Sequence, residues 1–351
     1  MKKRMLVWSG VQKKRQLAGE KKEGMDCGVM KKVVLLVCCF LLLIGTGMVQ
    51  AAPSEKKAVV LAVFGTSHED ALPGILTIRR QIAEALPADV PVRLAFTSHI
   101  IRRIWQERRA DPAYAAAHPE VPAEILQVRG PLAAIAELQD EGYGYIIVQP
   151  THISSGEEFA DLASSVAAFN SIRTVKERNM PFRKIILGRP ALGTAGIEHE
   201  YRHDIERVAT LLAPDVERAK KEDRALVYFA HGNEHYSTGV YLEFEHVMRT
   251  RYPEVATYVT MVEGFPGVEV LLDKLAEDGT KKVLVKPFMT VAGDHAKNDM
   301  AGAEPDSLKS VLTARGIDVA VVLQGLGENT EFARLFAQHV KDAAADAGVT
   351  F

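Results

Sequence analysis

Three short segments in the second half of the chain carry residues that can hold a metal ion: Ala230-His231-Gly232, Val262-Glu263-Gly264 and Gly293-Asp294-His295. Each follows an apolar, β-branched run. Two imidazoles and one carboxylate suit a borderline divalent cation such as Co²⁺, Fe²⁺, Ni²⁺ or Zn²⁺. Gly232 permits close backbone approach to a ligand, and Asp294 is placed to orient the His295 ring as a hydrogen-bond acceptor. A single histidine of this kind is ordinarily a satisfied turn or cap residue. Three matched positions at three successive strand ends favour a site.

The first half delivers its own polar residues to equivalent points. Thr66, Ser67 and His68 follow its first apolar run, His99 the second, and His152 the third, with Glu157 and Glu158 just beyond. Two carboxylates near an imidazole serve proton transfer or guide a cation, or else place negative charge in a first helical turn. The segment IIRRIWQERR (100–109) carries Arg102, Arg103, Arg108 and Arg109. Their guanidinium forks match carboxylates; the plainer reading is a solvated face with Ile101, Ile104 and Trp105 turned inward.

HEYRH (199–203) matches the H-E-x-x-H pattern of zinc peptidases. A helical period puts Ile197, Tyr201, Ile205, Val208 and Leu212 on one face and His199 and His203 on the opposite, solvated one. An adventitious surface metal site is expected there instead of a peptidase centre. GLGEN (325–329) lacks both GxGxxG and a P-loop lysine, so no ATP site is expected.

The elements that must position these residues recur in a regular order. Apolar runs at 57–66, 91–99, 143–152 and 183–193 are followed by a second set at 224–232, 256–264, 281–290 and 317–327. Nearly continuous apolar strands alternating with helical stretches predict parallel sheets covered on both faces. The two sets match in character: FGTSHED against FAHGNEH, VQPTH against VKPFM, and a Gly-rich turn after each fourth run. The predicted fold is α/β, with two similar doubly wound lobes and an active-site cleft between them. The N-terminal lobe spans 57–193 and the C-terminal lobe 194–330, with a C-terminal helix over 331–351. Doubly wound sheets bind ligands at the carboxyl ends of their strands, where Thr66, Ser67, His68, His99, His152, His231, Glu263 and His295 fall.

Of the 351 residues, 47% are hydrophobic and 25% charged, and the formal net charge is −2. Such a balance gives no field to recruit nucleic acid. Residues 1–51 read as a leader: Met30-Lys31-Lys32, an apolar run and then Val49-Gln50-Ala51 form a cleavable secretory signal peptide. A retained anchor is the rival reading. Residues 1–29 resemble an over-extended gene start. Export predicts a periplasmic protein that meets the membrane only through the signal peptide. Cys27, Cys38 and Cys39 all lie in this leader. The mature chain therefore has no disulfide, thiolate zinc site or cysteine nucleophile.

FGTSHED, FTSHIIRR, QPTHISSGEEF, FAHGNEHY, VEGFPGVE and KPFMTVAGDHAKNDMAG together resemble the anaerobic, class II cobalt chelatases that act on sirohydrochlorin. The resemblance covers essentially the whole mature chain, and VAGDHAKNDMAG is its most specific part. It implies Co²⁺ insertion into sirohydrochlorin without ATP, in cobalamin biosynthesis. It puts the metal on His231, Glu263 and His295, and sets Glu158 and His152 toward the macrocycle. His231 is also expected to take a pyrrole proton, and Arg102 and Arg103 to meet substrate carboxylates. A homo-oligomer is expected. The alternatives are insertion of Fe²⁺ into the same macrocycle, or an exported metal or tetrapyrrole carrier without turnover. An exported chelatase can also hold haem through a spare histidine such as His99 or His118. The leader departs from the family, most of whose members are cytoplasmic.

Overall fold

The protein is described by a computed structural model covering residues 54–351; the leader and its cleavage pattern lie outside the described residues. Within them, no helix is long and apolar enough to cross a membrane.

Eight strands form two four-stranded, all-parallel sheets. The first contains β1 (Lys57–Val63), β2 (Val92–Phe96), β3 (Tyr145–Pro150) and β4 (Lys184–Leu187), in the order β2-β1-β3-β4. The second contains β5 (Ala225–Gly232), β6 (Thr257–Glu263), β7 (Lys282–Phe288) and β8 (Asp318–Val321), in the order β6-β5-β7-β8. Identical order in the two halves is the repeat expected from the matched motifs. In β1 every residue after Lys57 is buried, and β5 is buried up to Ala230. Helices cover both faces of such strands, so no polar alternation is possible.

In the first half the helices are α1 (Leu72–Glu84), α2 (His99–Ala110), α3 (Pro112–Ala117), α4 (Ala123–Leu126), α5 (Pro131–Asp140) and α6 (Glu157–Asn170). The second half adds α7 (Tyr201–Leu211), α8 (Ala213–Lys221), α9 (Gly239–Arg251), α10 (Val268–Glu277), α11 (Leu308–Ala314) and α12 (Thr330–Asp346). Short polar caps set the ends that matter here. Ser98 accepts from the Ile101 amide at the start of α2, and Asn329 accepts from the Glu331 and Phe332 amides at the start of α12.

The last helix does not remain with the second sheet. α12 lies against α1 and touches β3 and β4. Phe332, Leu335, Phe336 and Val340 are fully buried and belong to one apolar cluster with Ile75, Ile78 and Ile82 of α1. That same cluster continues through Leu226, Tyr228 and Phe288 of the second sheet, so one core runs through both halves.

At the end of β4 a buried polar knot fixes this arrangement. Arg189 donates from Nε to Asp204 of α7 at 2.7 Å and pairs with Asp342 of α12 at 2.9 Å. Burial works against ionisation of Asp204, but hydrogen bonds from His339 and Arg189 outweigh it and hold its carboxyl below the usual range.

The HEYRH segment departs from expectation. α7 begins only at Tyr201, because residues 188–200 form an irregular connection, and Ile197 is 93% exposed instead of packed. His199 precedes the helix and binds Asp346 at 2.8 Å, while His203 points to solvent. The two imidazoles do not share a helix face, so the peptidase geometry is not formed.

Candidate functional site

In each sheet the strand order reverses beside its first strand, between β1 and β3 and between β5 and β7. Side chains leaving the carboxyl ends there open onto a crevice. A cavity of about 470 Å³ lies where these two crevices meet, lined from both halves of the chain. Its polar lining includes Thr66, His152, Glu158, His231, Asp294 and His295; Phe64, Ile100, Ile101, Ile104, Phe288 and Met289 make much of the rest apolar.

His231 and His295 meet edge to face, with ring centroids 4.8 Å apart and planes at 78°. The Nδ1 of His231 lies 3.0 Å from the Gly232 carbonyl, and the Nδ1 of His295 lies 2.6 Å from Asp299 Oδ2. Both acceptors require the hydrogen on Nδ1. Each ring therefore keeps its Nε2 lone pair for a ligand, the arrangement seen around metal-binding imidazoles. The orienting carboxylate is thus Asp299, not Asp294. A π-helical segment, Ala296–Met300, follows His295 and brings Asp299 under the ring. Asp294 instead accepts from Asn298 Nδ2 at 2.9 Å and faces His68 Nε2 at 3.5 Å.

Glu263 is not brought into the cavity lining with the two imidazoles. It stands half-buried at the end of β6, in register with Gly232 and not with His231. In-register residues of parallel neighbours share a face and successive residues alternate. The β6 register therefore sets Glu263 on the Gly232 side. Gly232 itself has φ +77°, and a Cβ there would lie 1.8 Å from the Glu263 carbonyl oxygen. Only glycine allows that approach.

His152 faces the cavity from the turn after β3. The residue is half-buried, yet both ring nitrogens are closed to solvent and lack a hydrogen-bond partner. Burial pushes its pKa down to about 4, so the ring is neutral at pH 7. The Glu157–Glu158 pair is divided by the fold. Glu158 lines the cavity, whereas Glu157 accepts from the Glu234 and His235 amides, both at 2.9 Å, and ties α6 to the turn after β5.

Arg102 is corrected. Its guanidinium turns back to donate to the Phe96 and Thr97 carbonyls, the latter at 2.7 Å, and packs over Gly130. It closes the end of β2 and is not free for a substrate carboxylate. Arg103 is exposed and makes no hydrogen bond or ion pair among the described residues. His99 is exposed in the first turn of α2, while His118 is held by Glu69 and Glu120.

Sequence reasoning missed Tyr241 of α9, whose ring lines the cavity and whose hydroxyl meets Ser154 at 3.1 Å. Burial pushes its pKa up to about 12. Of the three residues expected to turn inward from α2, Trp105 is fully buried, whereas Ile101 and Ile104 line the cavity beside Ile100, 61% exposed, and Phe64, 40% exposed. Large apolar side chains at strand-end turns were the available signal.

The family model for cobalt chelatase (CbiK) matches residues 57–345. The sirohydrochlorin cobaltochelatase CbiKC of Nitratidesulfovibrio vulgaris is 30% identical over 296 residues, covering 84% of this chain and 93% of that protein. The sirohydrochlorin cobaltochelatase of Salmonella typhimurium is 29% identical over 290 residues, covering 82% and 96%. Among solved structures, SirB from Bacillus subtilis with Fe³⁺ aligns with a TM-score of 0.51 at 12% identity, over 84% of this chain and 98% of that one. That likeness is one of fold.

Proposed function

The chain belongs to the cobalt chelatase (CbiK) family, and from that premise we propose that it inserts Co²⁺ into sirohydrochlorin without ATP. The observation that carries this reading is the pairing of His231 and His295, each with Nδ1 engaged and Nε2 free, at one wall of an apolar cavity.

The two Nε2 atoms hold the incoming Co²⁺, with Glu263 as a third ligand once its side chain turns past Gly232. The apolar lining takes the macrocycle ring, and the carboxylates at the ring's edge meet solvent and Arg103. Insertion exchanges two pyrrole protons for one divalent ion. As pyrrole nitrogens displace His231 from the metal, its Nε2 lone pair is released and takes one of those protons. His152, neutral and without another partner, accepts a hydrogen bond from a pyrrole N–H. Glu158 is the carboxylate that receives the second proton and returns it to water. The divalent ion is a substrate here, and Fe²⁺ fits the same donors.

We place the mature protein in the periplasm, as a homo-oligomer, on the leader sequence and the family resemblance. Haem, if carried, falls to His99, the free member of the two imidazoles named for it. N-terminal sequencing of the exported protein should begin at Ala52, and an intact leader in the membrane fraction would overturn the placement.

The chemistry is tested by mixing the mature protein anaerobically with sirohydrochlorin and Co²⁺ and following absorbance, with Fe²⁺ in competition. Insertion above the uncatalysed rate, lost in both His231→Ala and His295→Ala, is the expected result. Tight binding of either ligand with no acceleration would make the protein a carrier.

A further inference from the structure

Beside the cavity, the turn after β1 meets the segment that follows α3. Glu69 Oε2 lies 2.8 Å from His118 Nδ1, and Glu120 Oε1 lies 3.3 Å from the same nitrogen. These three ligand atoms all fall within 4.8 Å of one another, the only such group among the described residues. The geometry points to a second divalent-cation site, formed by Glu69, His118 and Glu120 and separate from the His231–His295 pair.

Charge balance argues for a cation. Ionised carboxylates only accept hydrogen bonds, so Nδ1 carries the one hydrogen that faces both of them. One imidazole N–H cannot compensate two carboxylates. Among the described residues Glu120 has no other ion-pair partner, while Glu69 gains the Tyr114 hydroxyl, at 2.5 Å, and the more distant charge of Arg108. That hydroxyl hydrogen bond, working against burial, holds Glu69 below the usual carboxylate range and so ionised at neutral pH. A divalent ion taking the place of the Nδ1 hydrogen neutralises both acids, while the ring proton moves to Nε2.

Spacing and rigidity agree. Ligand atoms about 2.0–2.2 Å from a shared ion at tetrahedral angles stand roughly 3.3–3.6 Å apart. Glu120 Oε1 already stands 3.3 Å from His118 Nδ1, and Glu69 Oε2, at 2.8 Å, has to withdraw by under about 1 Å to admit the ion. The His118 ring is stacked on Tyr114 at 4.3 Å, and Tyr114 is itself fixed by Glu69 and covered by the Arg108 guanidinium. One imidazole and two carboxylates suit first-row ions such as Mn²⁺, Fe²⁺, Co²⁺ or Zn²⁺. A bound ion clips residues 118–120 to the turn that carries Ser67 into the cavity wall.

The inference stands apart from the proposed activity and is tested without it. Equilibrium dialysis of Co²⁺ alone against the full chain in a His231→Ala/His295→Ala background should retain one ion per chain. Adding Glu120→Gln, a change at an exposed carboxylate, should weaken that retention at least about tenfold and abolish the rise in Tm that Co²⁺ gives the background variant. His118→Gln should do the same, with circular dichroism as the check on folding. No retained Co²⁺ in the background, or retention unchanged within about twofold by Glu120→Gln, overturns the site; the latter places the ion elsewhere, for example at His199.

Discussion

Asp299 holds the Nδ1 of His295 at 2.6 Å, from four residues further along the chain. A hydrogen bond of this kind fixes the tautomer that leaves Nε2 unprotonated, and it sets the orientation of the ring. Loss of comparable outer partners costs about 10- to 100-fold in metal affinity. Asp299→Ala should therefore weaken Co²⁺ binding by that factor with Tm little changed. Asp294→Ala should not, since its carboxylate serves Asn298 and His68. Equal losses in the two variants would reject the assignment.

The pKa of His152, near 4 when folded, lies below the roughly 6.5 of an unfolded histidine. Between those values the unfolded chain binds a proton that the folded chain refuses. Stability from this group is therefore complete above pH 6.5 and is lost as pH falls toward 4, by up to about 3 kcal/mol. Chemical denaturation of wild type and His152→Phe across that window should show the variant losing stability less steeply on acidification. Parallel curves would mean that the ring is not held neutral.

Arg102 and Arg103 are adjacent in sequence but differ in what they touch. Arg102→Ala strands two backbone carbonyls at the end of β2, at a cost of about 1–3 kcal/mol. Arg103→Ala should leave Tm unchanged and raise the KM for the macrocycle. A macrocycle KM that follows Arg102 at constant stability would restore that residue to the substrate.

Asp204, 6% exposed as a side chain, binds Arg189 through both oxygens. Removing one partner of a buried pair leaves an uncompensated charge, and Asp204→Ala should cost about 3–5 kcal/mol by denaturant titration. Arg218→Ala, which breaks the surface pair with Glu222, should cost well under about 1 kcal/mol. Similar losses for the two would mean that the Arg189 knot does not hold the helices together.

The strands, their parallel arrangement and the delivery of His152, His231 and His295 to one edge were legible because uninterrupted apolar runs ending in polar turns have few structural solutions. Side-chain partners were less legible. Asp299 replaces Asp294 because the turn after His295 closes as a π-helix, and spacing alone does not distinguish that from an α-turn. Glu263 pairs with Gly232 and not His231, outside the cavity lining, because register depends on how two strands pair across the sheet. Arg102 turns back to its own strand because Gly130, distant in sequence, leaves room for the guanidinium. In HEYRH a helical period misplaces Ile197 and His199, which the chain spends on an irregular connection before the helix begins at Tyr201.

α12 packs on α1, so the final seventeen-residue helix completes the layer over the opening sheet. During synthesis that apolar face stays uncovered until the ribosome has delivered the last helix. A chain cut short by twenty residues lacks the cover over its beginning as well as its end. The two ends of the described chain therefore come together only after both have been made.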